Sequence, residues 1–167
     1  GASHQGRLVY LILCAFAEET SAPNSVHFKA ALQECKTPEE ACRVRAWQAS
    51  ACLDSSDLES AKVSLEEIWR QVISNPISPQ NHFELLLVQS DYYRQTGQFH
   101  EALLALASAR QFAKTKLQQR RWWGDLFSVQ VRMGQAKAET IWNAYGLAST
   151  NREKLLILHR LTQAKAL

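Results

Sequence analysis

Breakers are scarce in this chain of 167 residues, which has only six glycines and four prolines. A fold of many short strands needs turn residues at close intervals, so this scarcity argues against one and favours helices. Charge of either sign is also limited, since nineteen Lys and Arg stand against sixteen Asp and Glu, a formal net charge of +3. That balance, with a pI near 8.7, tolerates an acidic partner but lacks the strongly basic signature of a nucleic-acid binder. Catalytic signatures are missing as well. There is no GxGxxG, no GxxxxGK[ST], no GxSxG and no HExxH, and the five histidines stand far apart, so the reading is of a non-enzyme without metal or cofactor.

The four cysteines, Cys14, Cys35, Cys42 and Cys52, include no CxxC pair, which argues against structural zinc. They read as reduced, buried thiols, with a Cys35–Cys42 disulfide across the Thr37-Pro38 turn as the alternative in an oxidising compartment. With 46% hydrophobic and 21% charged residues the composition is globular, and the length suits one domain. No apolar run reaches membrane-spanning length. The longest, LVYLILCAFA after Arg7, is about ten residues and ends in a small-x-small Ala15-Phe16-Ala17. It reads as a buried first helix of a cytoplasmic protein; as a signal sequence it would instead mark a secreted or periplasmic one. The leading residues 1–6 read as a cloning remnant. A first helix apolar on nearly every face would pack on an upstream repeat or a second copy of the chain.

What is present is helix punctuation. Thr37-Pro38-Glu39-Glu40 combines an N-cap, a first-turn proline and a capping-box acid; Asp57 and Ser78-Pro79 give further starts, and Gly97 and Gly134 mark turns within helical pattern. The pattern predicts nine helices near 7–20, 25–36, 38–54, 57–74, 79–96, 99–115, 117–133, 135–148 and 151–166. The last, with Leu155, Leu156, Leu158 and Leu161 among Arg152, Lys154 and Arg160, is amphipathic and is expected to cap the fold.

Leu86 to Ala109 carries the most specific pattern. With Gly97 as turn residue, Ser90 and Tyr93 lie seven and four residues before it, and Phe99, Ala102, Leu106 and Ala109 lie two, five, nine and twelve after. This stretch resembles a tetratricopeptide repeat, with Gln89 where that family usually has leucine. The pair before it is similar: Ala49, Cys52, Leu58, Ala61, Leu65 and Ile68 fill the same positions 41 residues earlier, against a typical spacing of about 34. A third pair around Gly134 fits at Trp123 and Leu126 and departs at Phe127, Gln130 and Glu139. The resemblance implies an all-α fold, an antiparallel helix-hairpin solenoid in one domain over 7–167. Its parts would be an N-terminal hairpin 7–36, repeats at 38–74, 79–115 and 117–148, and a capping helix 151–166.

The resemblance further implies a protein–protein interaction scaffold, because in that family the first helix of each pair lines a concave groove. Projected onto this chain, the groove positions are Arg43, Ala46, Ser50, Leu53 and Asp54 in the first pair. In the second they are Glu84, Leu87, Asp91, Arg94 and Gln95, and in the third Arg121, Gly124, Ser128, Val131 and Arg132. The arginines would serve as donors to an acidic and apolar peptide or helix, and Leu53, Leu87 and Val131 as its apolar contacts. Family members that clamp a chaperone's terminal carboxylate use asparagine where this chain has Ser50, Asp91 and Ser128, which argues against that ligand. Two other roles remain open, a regulatory module of a larger signalling or transcription protein and a secreted assembly factor. KTKLQQRRWW, residues 114–123, mixes basic and aromatic residues, but its position at a helix junction favours one tryptophan in the core and one at an edge.

Overall fold

Thr37, Asp57 and Thr115 open three helices by the same chemistry, each side chain accepting a hydrogen bond from the backbone N–H three residues on. Thr115 completes a full capping box with Gln118. The computed structural model describes residues 3–17 and 25–165, and among these it is all-α, with nine helices and no strand. They are α1 (His4–Ala17), α2 (Val26–Glu34), α3 (Pro38–Asp54), α4 (Leu58–Ser74), α5 (Pro79–Gln95), α6 (Phe99–Arg110), α7 (Lys116–Arg132), α8 (Ala138–Leu147) and α9 (Asn151–Lys165). Positions 18–20 and 166 of the expected terminal helices, and residues 1 and 2, lie outside the described residues.

The chain divides into two compact units, Gly1–Val88 and Gln89–Leu167, with the division inside α5. In the first unit α1 packs on α2, α2 on α3, and α3 forms a hairpin with α4. Leu8, Ile12, Phe28, Val44, Cys52, Leu65 and Ile68 are buried there. Glu39 fastens the connector before α5, accepting from Ser78 N at 2.8 Å and Asn81 Nδ2 at 2.6 Å. In the second unit α7 is central, packed against α6, α8 and α9. Phe127 and Val129 are buried, and Trp122 donates from Nε1 to the Leu106 carbonyl at 2.7 Å. Trp123 is half-buried, edge-on to Trp122. The adjacent tryptophans divide between core and edge as their 100° separation on a helix requires.

Three interhelical turns share one geometry. Ser56, Gly97 and Gly134 all have positive φ, of 60°, 77° and 67°. In each, the following N–H reaches back five residues, Asp57 to Cys52, Gln98 to Tyr93 and Gln135 to Gln130, at 2.8 Å. These are Schellman closures, which need a left-handed residue at that point. Ser56 occupies the position of Gly97 at the 41-residue spacing. Buried Ser90 donates to the Ala102 carbonyl at 3.2 Å, drawing α5 and α6 together where the sequence pattern expects a small residue.

Three helix ends depart from expectation by three residues or more. α6 stops at Arg110 rather than 115, because 111–114 unwinds ahead of the capping box at Thr115. α8 starts at 138 rather than 135, because Gln135 closes the Gly134 turn and Lys137 N donates to Gln130 Oε1 at 3.3 Å. α1 starts at His4, inside the stretch read as a remnant, with Ser3 Oγ accepting from Gly6 N at 3.1 Å. All four cysteines are free thiols, so the Cys35–Cys42 bridge does not form. Cys35 instead donates to the Ala31 carbonyl, and Cys42 faces Gln71.

Candidate functional site

The near-neutral total conceals a division. Residues 1–88 hold seven Lys and Arg against eleven Asp and Glu, whereas residues 89–167 hold twelve against five. The second unit is therefore the cationic one, and part of its charge gathers around Asp125. From α5 come Asp91 and Arg94, three residues apart on one face. From α7 comes a stripe of Arg121, Asp125, Ser128 and Arg132 at helical spacing. From α9 comes Arg160.

Within the cluster, Arg94 pairs with Asp91, its Nε donating to Oδ1 at 3.0 Å and its terminal nitrogen engaging the same oxygen, while Gln95 donates to Oδ2 at 3.1 Å. Arg160 donates to Ser128 Oγ at 2.9 Å, and that hydroxyl donates to the Gly124 carbonyl at 3.0 Å, tying α9 to α7. Asp125 is half-buried as a residue, but its carboxyl is enclosed. Desolvation, reinforced by the Asp91 carboxylate, pushes it up to about 7 against the opposing pull of Arg121, Arg94 and Arg160. Around Asp125 the cluster thus places three guanidinium groups, those of Arg94, Arg121 and Arg160, beside the Asp91 carboxylate. Its charge is positive in sum and depends on the protonation of Asp125.

The positions projected for a groove fall in both units. Arg43, Ser50, Glu84 and Leu87 belong to the first unit, and Asp91, Arg94, Arg121, Ser128 and Arg132 to the second. Arg121 and Arg132 are exposed; Asp91, Arg94 and Ser128 are half-buried. Arg43 donates to Gln5 at 2.6 Å and borders, with Glu84, a crevice of about 20 Å³, room for one water but not for a peptide side chain. Leu53 and Leu87 are buried, 2% and 3% exposed, so neither is open to a partner. The projection assumes one open face per helix, but α3 packs against α1, α2 and α4 and buries Ala46 and Leu53 along with the opposite stripe.

Asp125 and Arg160 are the members that spacing does not reveal. Asp125 follows projected Gly124 by one residue and lies four after Arg121, so it shares that stripe; its perturbed acidity depends on Asp91, which comes from another helix. Among the described residues, no group of three His, Cys, Asp or Glu could hold a metal ion, and no helix is long and apolar enough to cross a membrane. No protein-family model, curated protein or solved structure matches the chain.

Proposed function

We propose that the chain is a non-enzymatic helical scaffold of tetratricopeptide-like build, whose second unit binds an acidic peptide or helix of a partner protein. The observation that carries this reading is the cluster of Arg94, Arg121 and Arg160 around Asp91 and Asp125, cationic in sum and built from three helices. Guanidinium groups match carboxylates in planar, two-point hydrogen bonds, and α7 offers Arg121 and Arg132 on an exposed edge. The three equivalent Schellman turns support the repeat reading, since repeated hairpins need the same closure at the same place. Four free thiols support a reducing, cytoplasmic setting.

The test is titration of the chain into fluorescein-labelled peptides, one rich in Glu and Leu and one with each Glu replaced by Lys, read by anisotropy at low and high salt. Selective binding of the acidic peptide, weakened by salt and lost in Arg94→Glu, Arg121→Glu with unchanged helicity, is the expected result. Equal binding by the double variant sinks the assignment.

A further inference from the structure

The outer face of α9 is exposed and apolar without being a membrane face. Arg152, Leu155, Leu156 and His159 stand at i, i+3, i+4 and i+7, one continuous stripe, and all are exposed, Leu155 to 65%. The single acid of α9, Glu153, is turned to its own N-terminus, where it accepts from the Ser149 and Thr150 amides and lies 3.9 Å from Arg120. The outer stripe therefore presents leucines, an arginine and an imidazole with no carboxylate. A helix lying in a lipid interface segregates its charges to the opposite face. Here Arg152 and His159 lie in line with the leucines, which suits a protein surface offering apolar room and carboxylates together.

The first unit has such a surface. An open groove of about 400 Å³ runs between α3 and α4, and Glu59, Val63 and Glu67 of α4 line it opposite Arg45 and Gln48 of α3. Val63 is 64% exposed although apolar. The Arg45 guanidinium is already engaged with Gln71 Oε1 at 3.2 Å, while Glu67 also accepts from Arg70 and Gln71. A cavity of ~150 Å³ takes a benzene ring, so this groove has room for a leucine pair. Its unit carries the acidic excess, and α9 belongs to the unit with the basic excess.

We propose that the α9 stripe of one chain docks into the α3–α4 groove of a second copy, with Leu155 and Leu156 against Val63 and Arg152 between Glu59 and Glu67. The contact is heterologous, groove to helix, so it extends into open chains or closes into a ring. One helix in one groove buries little area, which makes the association weak, reversible and salt-sensitive.

Sedimentation velocity across a concentration series tests this. The wild type is expected to rise above its 18.9 kDa monomer mass with concentration at low salt and to return toward it at high salt. R152E alone and E59K/E67K alone are expected to remain monomeric, with helicity unchanged by circular dichroism. Mixing the two variants restores association, because each then meets a complementary surface; restoration also shows that both are folded. A wild type that stays monomeric throughout overturns the proposal, and so does association unaffected by either variant or a mixture that stays monomeric.

Discussion

Asp125→Asn removes a charge that the native fold disfavours. In the folded second unit the carboxyl is raised from 3.8 to about 7, so the native state binds its proton more tightly than the unfolded chain. The sign follows from linkage: the advantage of the protonated form is fully present below about 4 and is lost as pH rises through about 7. About three pK units at 1.36 kcal/mol each set a ceiling of ~4 kcal/mol. The residue is half-buried, and allowance for solvent screening sets the working expectation at ~2 kcal/mol. Asparagine mimics the neutral acid in shape and has no charge to desolvate. Urea unfolding at pH 3, 5, 7 and 8 should therefore give nearly equal stabilities for wild type and variant at the acid end. At pH 8 the variant should be ahead by ~2 kcal/mol, a melting-temperature gain of ~4–8 °C for a chain of this size. Subtracting the curves cancels every other titrating group common to both. Carbon-13 detection of the Asp125 carboxyl adds a direct reading, and Asp91→Asn should shift its midpoint to lower pH by removing the neighbouring anion. A stability difference flat with pH, or a midpoint in the ordinary aspartate range, refutes the enclosed-carboxyl geometry.

The same structure makes other predictions. Ser56→Gly relieves a left-handed residue and should stabilise by ~0.5 kcal/mol, whereas Gly97→Ala should destabilise by ~1 kcal/mol even though a Cβ there would meet no atom within 4 Å; urea midpoints check both. Glu40, held at about 2 by hydrogen bonds from Lys36 N, His4 and Gln5, ties α1 to the start of α3. Its stabilising effect is present above the ordinary carboxylate range and lost as pH falls toward 2, so Glu40→Gln should speed α1 amide exchange at pH 7 and abolish that acid dependence. Cys52, buried and pushed up to about 11, and buried Cys42 should react with Ellman's reagent after half-buried Cys14 and Cys35; a fast Cys52 would contradict the packing of α3.

Local signals decide most of the helix order. Thr37-Pro38, Asp57 and Ser78-Pro79 place α3, α4 and α5 to within one residue, because caps and first-turn prolines act on their own backbone. α6 overruns in the sequence reading because the residues after Arg110 have ordinary helical character, and only the downstream capping box at Thr115 claims them. The candidate site is half-legible for a related reason. Asp91, Arg94, Arg121 and Ser128 are positions that the tetratricopeptide resemblance projects along α5 and α7. Asp125 becomes chemically distinctive only when α5 brings a second carboxylate to it, and Arg160 only when α9 folds back onto α7. The burial of Leu53 and Leu87 is likewise set by neighbouring helices, which no single-helix projection contains. The opposed charges of the two units are written in the chain but cancel in its total, and they separate only once the division inside α5 is known.

The most direct test of the scaffold reading is a quantitative affinity capture from native lysate, run with the wild-type chain beside the Arg94→Glu, Arg121→Glu double variant and read by mass spectrometry. Retention of a defined protein by the wild type and its loss from an equally helical variant is the predicted result. Identical captures from both would contradict partner binding through the α5–α7 cluster.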